Sequence, residues 1–392
     1  MNDFTWRSLW TKIGQLLSLR MVKAFSFQLF SDISLRHPAS LSTPPSTPKP
    51  TPDTSPSTDF DIVAFYNDLI SRDPTITPPI AAIESLTSLL ASTPLTTISE
   101  TLALLSTHSS KLLASQRNPI PLSAGTELFQ RYLVSSFQQR PSSLASSDFT
   151  ALRHHILSNS SLFVKRANEA RPKIAQHALP FIKDDSTIIT YGYSRAVQAL
   201  LTHAAESNRS FNVIYVLPAT GLSERVSKFI AALNDLSIPT ATISMQALIY
   251  ALASLAPSAP PPQFIIGAAA VLENGSIITE LGMHQLALIA KSVSVPLHVA
   301  VESYKFVRNF PLGYGPTDLA RLGVRQNVLQ FGTGTPNSDP KPEAATADEG
   351  KVLTTEAEMV EITPPNLISA LITENGIMSP NAVSEELIKL WF

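Results

Sequence analysis

The chain has 392 residues, room for about two domains plus segments outside them. It is 44% hydrophobic but only 15% charged, and 29 Lys and Arg against 31 Asp and Glu leave a net charge of -2. Such a balance excludes a global field that steers the protein to nucleic acid or to an anionic membrane. With no cysteine, disulfides, zinc–thiolate sites, iron–sulfur clusters and thiol nucleophiles are excluded as well.

Residues 1–37 carry Arg7, Lys12, Arg20, Lys23 and Arg36 against Asp3 and Asp32. Leu9, Ile13, Leu16, Leu17, Met21 and Phe25 recur at helical spacing, which predicts a basic amphipathic helix. A mitochondrial transit peptide, a membrane-surface helix and an extension outside the fold all fit it. From Pro38 to Thr58, seven of 21 residues are Pro and ten are Ser or Thr, too little apolar surface to offset the entropy of ordering. Residues 1–58 therefore read as an extension ending in a disordered linker.

Residues 59–180 read as a helical domain. Asp73-Pro74 ends one helix, and Thr77-Pro78-Pro79 opens the next with Pro in the first turn, where its missing N–H costs nothing. Ile80, Ile83, Leu86, Leu89 and Leu90 then make one apolar stripe. A longer stripe runs through Phe149, Leu152, Ile156, Phe163, Ala167, Ala170 and Ile174, with a kink expected at Pro172.

Residues 181–392 change pattern. Strands are expected at Thr187–Tyr191, Asn212–Leu217, Thr240–Met245, Phe264–Gly267 and Leu297–Glu302. Helices are expected between them, at Ser194–Glu206, Ser223–Leu236, Gln246–Leu255 and Glu280–Ser292. Alternation with near-continuous apolar strands defines an α/β domain, Rossmann-like, with a mostly parallel sheet covered on both faces. Leu236 to Leu272 contains no charge, but its prolines cut it into pieces short for a membrane span, so a buried core is the better reading. An acidic loop is expected over 337–360, a helix from Thr363-Pro364-Pro365, and a short amphipathic helix over Ser384–Leu390.

Motifs for common chemistries are missing. No G-x-G-x-x-G, P-loop or G-x-S-x-G is present, and His154 and His155, adjacent on a helix, point about 100° apart and cannot chelate one metal together. No metal site, cofactor or catalytic residue is implied. Three junctions on the carboxyl side of strands are candidate ligand sites, because α/β folds bind there. Tyr193, Ser194 and Arg195 form the first, where Ser194 also suits a helix cap. Leu272 to Ser276 forms the second, with Asn274 and Gly275 in a tight turn. Glu302 with Lys305 and Arg308 forms the third, as ligand groups or a local charge cluster.

Several of these segments resemble a family. Gly267 to Ile278, Val299 to Arg308, Ser123 to Phe129, and Phe181 to Lys183 with Tyr193 to Arg195 occur in the pattern and order of the regulatory subunits of eukaryotic translation initiation factor 2B. The ending Thr363 to Ile368 and Ser379 to Leu390 is most similar to the alpha type. The resemblance spans about 59–336 and 361–392. It implies a non-catalytic subunit that forms a homodimer and bridges halves of a guanine-nucleotide exchange complex. It further implies contacts with the other subunits of that factor and with phosphorylated initiation factor 2, in the cytoplasm, without direct nucleic-acid or membrane binding. Glu127, Arg131, Lys305, Arg308 and Trp391 become candidates for the partner surface.

The same superfamily holds sugar-phosphate isomerases, including methylthioribose-1-phosphate isomerase, which use a catalytic Cys and the Asp of a Gly-Ala-Asp motif. Here the first position falls near Gly192 or Tyr193 and the second is Ala269, so both reacting groups are missing. The alpha-type family also carries a sugar-phosphate pocket in which an Asn-Lys pair follows the Asn-Gly turn. Thr279 and Glu280 stand there instead, reversing the sign of a phosphate contact, and Val216-Leu217-Pro218-Ala219 replaces a Glu-Ser pair. An isomerase and a stand-alone metabolite-binding protein remain the alternatives.

Overall fold

A computed structural model of the chain separates into two units, Met1–Ser57 and Thr58–Phe392. The structure describes residues 60–73, 76–93, 97–138, 149–218, 221–255, 260–326 and 359–391, all in the second unit. The expected amino-terminal helix, the linker and residues 337–358 of the acidic loop lie outside the described residues, as do the side chains of 136–163, His154 and His155 included.

Among the described residues five helices come first: α1 Ile62–Arg72, α2 Pro78–Ser92, α3 Ile98–Ser115, α4 Ile120–Gln138 and α5 Phe149–Ala178. Their ends follow local chemistry. Asp61 accepts from Val63 N (3.1 Å) at the start of α1, and Thr97 accepts from Glu100 N (3.2 Å) at the start of α3. The α2 stripe does what its spacing predicts: Ile80, Ile83, Leu86, Leu89 and Leu90 are buried, with Phe129 and Leu133 of α4 in the same cluster. α5 runs through Pro172 without a break, and its described inner residues Ala167, Ala170 and Ile174 are buried.

The α/β part alternates β1 Ser186–Tyr191, α6 Arg195–Glu206, β2 Phe211–Leu217, α7 Glu224–Asp235, β3 Thr240–Ser244, α8 Leu248–Leu255, β4 Gln263–Gly267, β5 Ala270–Leu272, β6 Ile277–Glu280, α9 Met283–Ser292 and β7 Leu297–Ala300. It ends with β8 Phe306–Val307, α10 Pro316–Arg321, β9 Val360–Thr363, β10 Ala370–Thr373, β11 Gly376–Met378 and α11 Val383–Trp391. Seven strands form the main sheet in the order β11-β10-β7-β4-β1-β2-β3, parallel except for the β10–β11 hairpin. Apolar side chains of α8 and α9 cover one face and those of α5, α6 and α7 the other, which is why β1, β4 and β7 are buried along nearly their whole length. The described residues of the uncharged stretch 236–272 are thus strand, helix and turn, and among the described residues no helix is long and apolar enough to cross a membrane.

A second sheet, β8-β5-β6-β9, was not expected, and packs its Ala270, Leu272 and Ile278 against Ile120 and Ala124 of α4 and Leu319 of α10. It corrects several expectations. The Asn274-Gly275 turn closes the β5–β6 hairpin rather than following β4 directly, and Glu280 ends β6, so the next helix begins only at Met283. Val360 opens β9, so the loop expected to reach 360 stops before it. No α-helix follows Thr363-Pro364-Pro365: Pro365–Leu367 is a single 3-10 turn, and Ala370–Thr373, ending in the β-branched Ile372 and Thr373, becomes β10. Likewise β7 ends at Ala300 and a 3-10 turn, Met245–Ala247, precedes α8.

Candidate functional site

The carboxyl ends of β1 and β4 and the first turns of α7 open on a cavity of about 570 Å³, walled on its other side by Ile70, Asp73, Ile76, Pro78 and Pro79 of the helical region. This is where a parallel sheet leaves room for a ligand. β1 ends at Tyr191, and Gly192, Tyr193, Ser194 and Arg195 follow along the wall. The Ser194 hydroxyl accepts from Val197 N at 3.4 Å, capping α6, while Gly267 at the end of β4 lies directly beneath it. A Cβ on Gly267 would stand 2.1 Å from the Ser194 Oγ, so only glycine lets these two strand ends come together. Replacing Ser194 by Ala is expected to cost about 1 kcal/mol through loss of the cap, read in urea unfolding.

Charges around the cavity are mostly committed to each other. The Arg195 guanidinium donates to the Ile76 carbonyl at 2.8 Å, tying α6 to the loop before α2. Lys228 pairs with Glu224 at 2.8 Å. Lys305 Nζ sits 2.7 Å from Glu302 Oε2 and donates to the Ala268 carbonyl at 3.2 Å. Glu280 reaches the cavity from the end of β6; burial pushes its carboxyl above the ordinary value, and Arg225 acts against that rise. Ala268 and Ala269, with no side-chain polar group, also line this wall.

Behind the cavity lies a buried, ion-paired carboxylate. Glu302, 1% exposed, receives Lys305, the Arg171 Nε at 3.2 Å and the Tyr304 hydroxyl at 3.1 Å. Burial alone would raise its carboxyl, but Lys305 and Arg171 more than offset this and hold it at about 2. Next to it, Ser303 donates its backbone N–H (3.0 Å) and hydroxyl (2.5 Å) to Glu374. Because Arg171 belongs to α5 and Tyr304 packs on the helical core, this cluster joins the sheet to the helices.

The structure therefore brings Tyr193, Ser194, Arg195 and Lys305 to one cavity and places Glu302 just behind it. Asn274 and Gly275 do not line that cavity. Asn274 accepts from Ser276 N at 2.9 Å, and Gly275 packs against the Pro380 backbone. Glu127 and Arg131 are half-buried on α4; burial raises the Glu127 carboxyl, and the charge of the exposed Arg308 lowers it. Trp391 ends α11, and its side chain lies outside the described residues. Arg225 and Lys228 were missed, although the carboxyl-end rule applied to β2 would have found them. Arg171 had no signal at all, being 131 residues from Glu302. Among the described residues no group of three or more His, Asp or Glu is arranged to hold a metal.

With this geometry in view, the chain belongs to the Initiation factor 2 subunit family, whose model matches residues 72–380. It is 29% identical to translation initiation factor eIF2B subunit alpha of Dictyostelium discoideum over 85% of this chain and 98% of that protein. It is 25% identical to the Caenorhabditis elegans subunit alpha over 84% of this chain and 98% of that one. In fold it matches a chain of the tetrameric eIF2B-beta2-delta2 complex from C. thermophilum, at a TM-score of 0.63 and 17% identity, covering 85% of this chain and 96% of that chain.

Proposed function

We propose that the protein is the alpha-type regulatory subunit of initiation factor 2B, a homodimer that bridges the exchange complex and helps sense phosphorylated initiation factor 2. Coverage carries the choice of subunit. The chain spans 98% of both alpha relatives but only 35% of the delta and 38% of the beta subunit of Dictyostelium discoideum. The cavity supports a role without turnover. A chain with no cysteine offers no thiol nucleophile, and Ala269 puts a methyl group where the related isomerases carry their carboxylate. Ser194 is occupied in capping and in filling the space above Gly267.

Purification of the tagged chain from its own cells at mild salt tests this reading. The expected result is recovery with the other factor 2B subunits in a particle much heavier than a dimer, and faster GDP release from initiation factor 2 by that particle. A clean homodimer with no such partners would overturn it. Incubation with aldose phosphates is expected to yield no ketose phosphate; turnover would favour the isomerase. Deleting residues 1–58 is expected to leave the cytoplasmic distribution unchanged by microscopy, and loss of an organellar signal would count against the translation role.

A further inference from the structure

The charges that wall the cavity at the ends of β1 and β4 leave no excess of either sign. Lys228 is paired with Glu224 and Lys305 with Glu302, so neither couple has net charge to offer a ligand. Arg195, held by the Ile76 carbonyl, and Asp73 add one charge of each sign. Two groups are left. Arg225, in the first turn of α7, and Glu280, at the end of β6, both line the cavity, and neither side chain has a hydrogen-bond or ion-pair partner among the described residues. Arg225 acts on the Glu280 carboxyl through space, but the two do not meet in an ion pair. Glu280 lies against Gly192, where a Cβ would stand 3.2 Å from its Oε2, so the glycine leaves the acid its place at the end of β1.

Thr279 adds a second sign of a ligand. It is 6% exposed and lines the cavity, and its hydroxyl has no partner among the described residues. Buried hydroxyls are normally hydrogen-bonded, so this one has a bond to give. The helical side of the cavity, with Ile70, Ile76, Pro78, Pro79 and Pro121, is apolar. Ligand classes meet these walls differently. A phosphate monoester gains Arg225 but sets two negative charges near Glu280, with no positive excess to compensate. A simple cation serves Glu280 and leaves Arg225 without a partner. A molecule with both signs serves both, and an apolar group on it finds an apolar wall. We propose that the cavity takes a zwitterion, an α-amino acid with an apolar side chain. Its carboxylate meets Arg225, its ammonium meets Glu280, and its side chain packs on the helical wall. The site goes beyond the regulatory reading and can fail without it, because its test reads binding by this chain alone.

Isothermal titration of the full chain with leucine and with phenylalanine tests it. Saturable binding of at least one is expected, with a Tm that rises with its concentration. On the wild type, the N-acetyl form of that amino acid, which lacks the ammonium, and its amide, which lacks the carboxylate, should each bind at least about tenfold more weakly. Glu280→Gln should weaken the amino acid by a similar factor. Glu280→Lys should abolish its binding and admit ribose 5-phosphate, which the wild type is expected to refuse. Circular dichroism of both variants checks that they fold, and the two ligand derivatives decide the matter on the wild type if they do not. Binding of neither amino acid, or wild-type binding of ribose 5-phosphate in their place, would overturn the proposal. So would amino-acid binding that is indifferent to the ammonium and to Glu280→Gln.

Discussion

Replacing Glu302 by Gln is expected to destabilise the folded protein by about 3 kcal/mol at neutral pH, lowering the Tm by about 3–5 °C. The carboxylate sits 1% exposed among Arg171, Lys305 and Tyr304, and its removal leaves those cations facing a neutral amide. A carboxyl moved from its ordinary value of 4.5 to about 2 corresponds to a folding contribution of the same order. Because the folded value is depressed, that contribution is complete above about pH 4.5 and fades as the pH falls towards 2. The wild type should therefore lose its advantage over Glu302→Gln in acid, so urea midpoints measured from pH 7 downward converge. A gap that stayed constant would mean that packing, not charge, sets the cost. Since Arg171 belongs to α5, hydrogen exchange should also rise in the variant along the carboxyl-terminal half of that helix.

Gly275→Ala should be the other severe change, costing about 3 kcal/mol or more. Gly275 has φ +83°, which an L side chain adopts only with strain, and its new Cβ would stand 2.2 Å from the Pro380 carbonyl oxygen. Backbone on both sides leaves nothing flexible to give way. Gly376→Ala separates the two causes. Its φ is +126°, but nothing lies within 4 Å of the added Cβ, so only the backbone term of about 1 kcal/mol is expected. Equal costs in urea unfolding would show that the Pro380 contact does not matter. The expected inequality would establish the β5–β6 turn as a seat for the segment leading into α11.

The parts of the fold written in local pattern were legible, and those assembled from distant pieces were not. Asp73, the Thr77-Pro78-Pro79 start, the α2 stripe and the five apolar runs from Thr187 to Glu302 announce their elements because each carries its own period or cap. The second sheet escaped since β5, β8 and β9 are two to four residues long, too short to display alternation. Asn274-Gly275 did signal a turn, yet only the pairing of Ala270–Leu272 with Ile277–Glu280 makes it a hairpin. Thr363-Pro364-Pro365 misled because Pro opens a 3-10 turn as readily as an α-helix, and the deciding residues Ala370–Thr373 come later. In the site, Tyr193, Ser194 and Arg195 followed from their place after β1. Arg171 became visible only with the fold in hand, and so did the burial of Glu302.

The order in which the strands are threaded bears on how the protein is made. β9 completes the small sheet against β6, and β10 inserts beside β7 in the large one, yet both come after residue 359. While the ribosome is still upstream of that point, the small sheet lacks β9 and the large one lacks both β10 and β11. Val299 and Ala300, wholly buried in the finished molecule, then border an open edge. Any part of either sheet that forms before that point has unpaired strand edges, and closure of both waits on residues after 359.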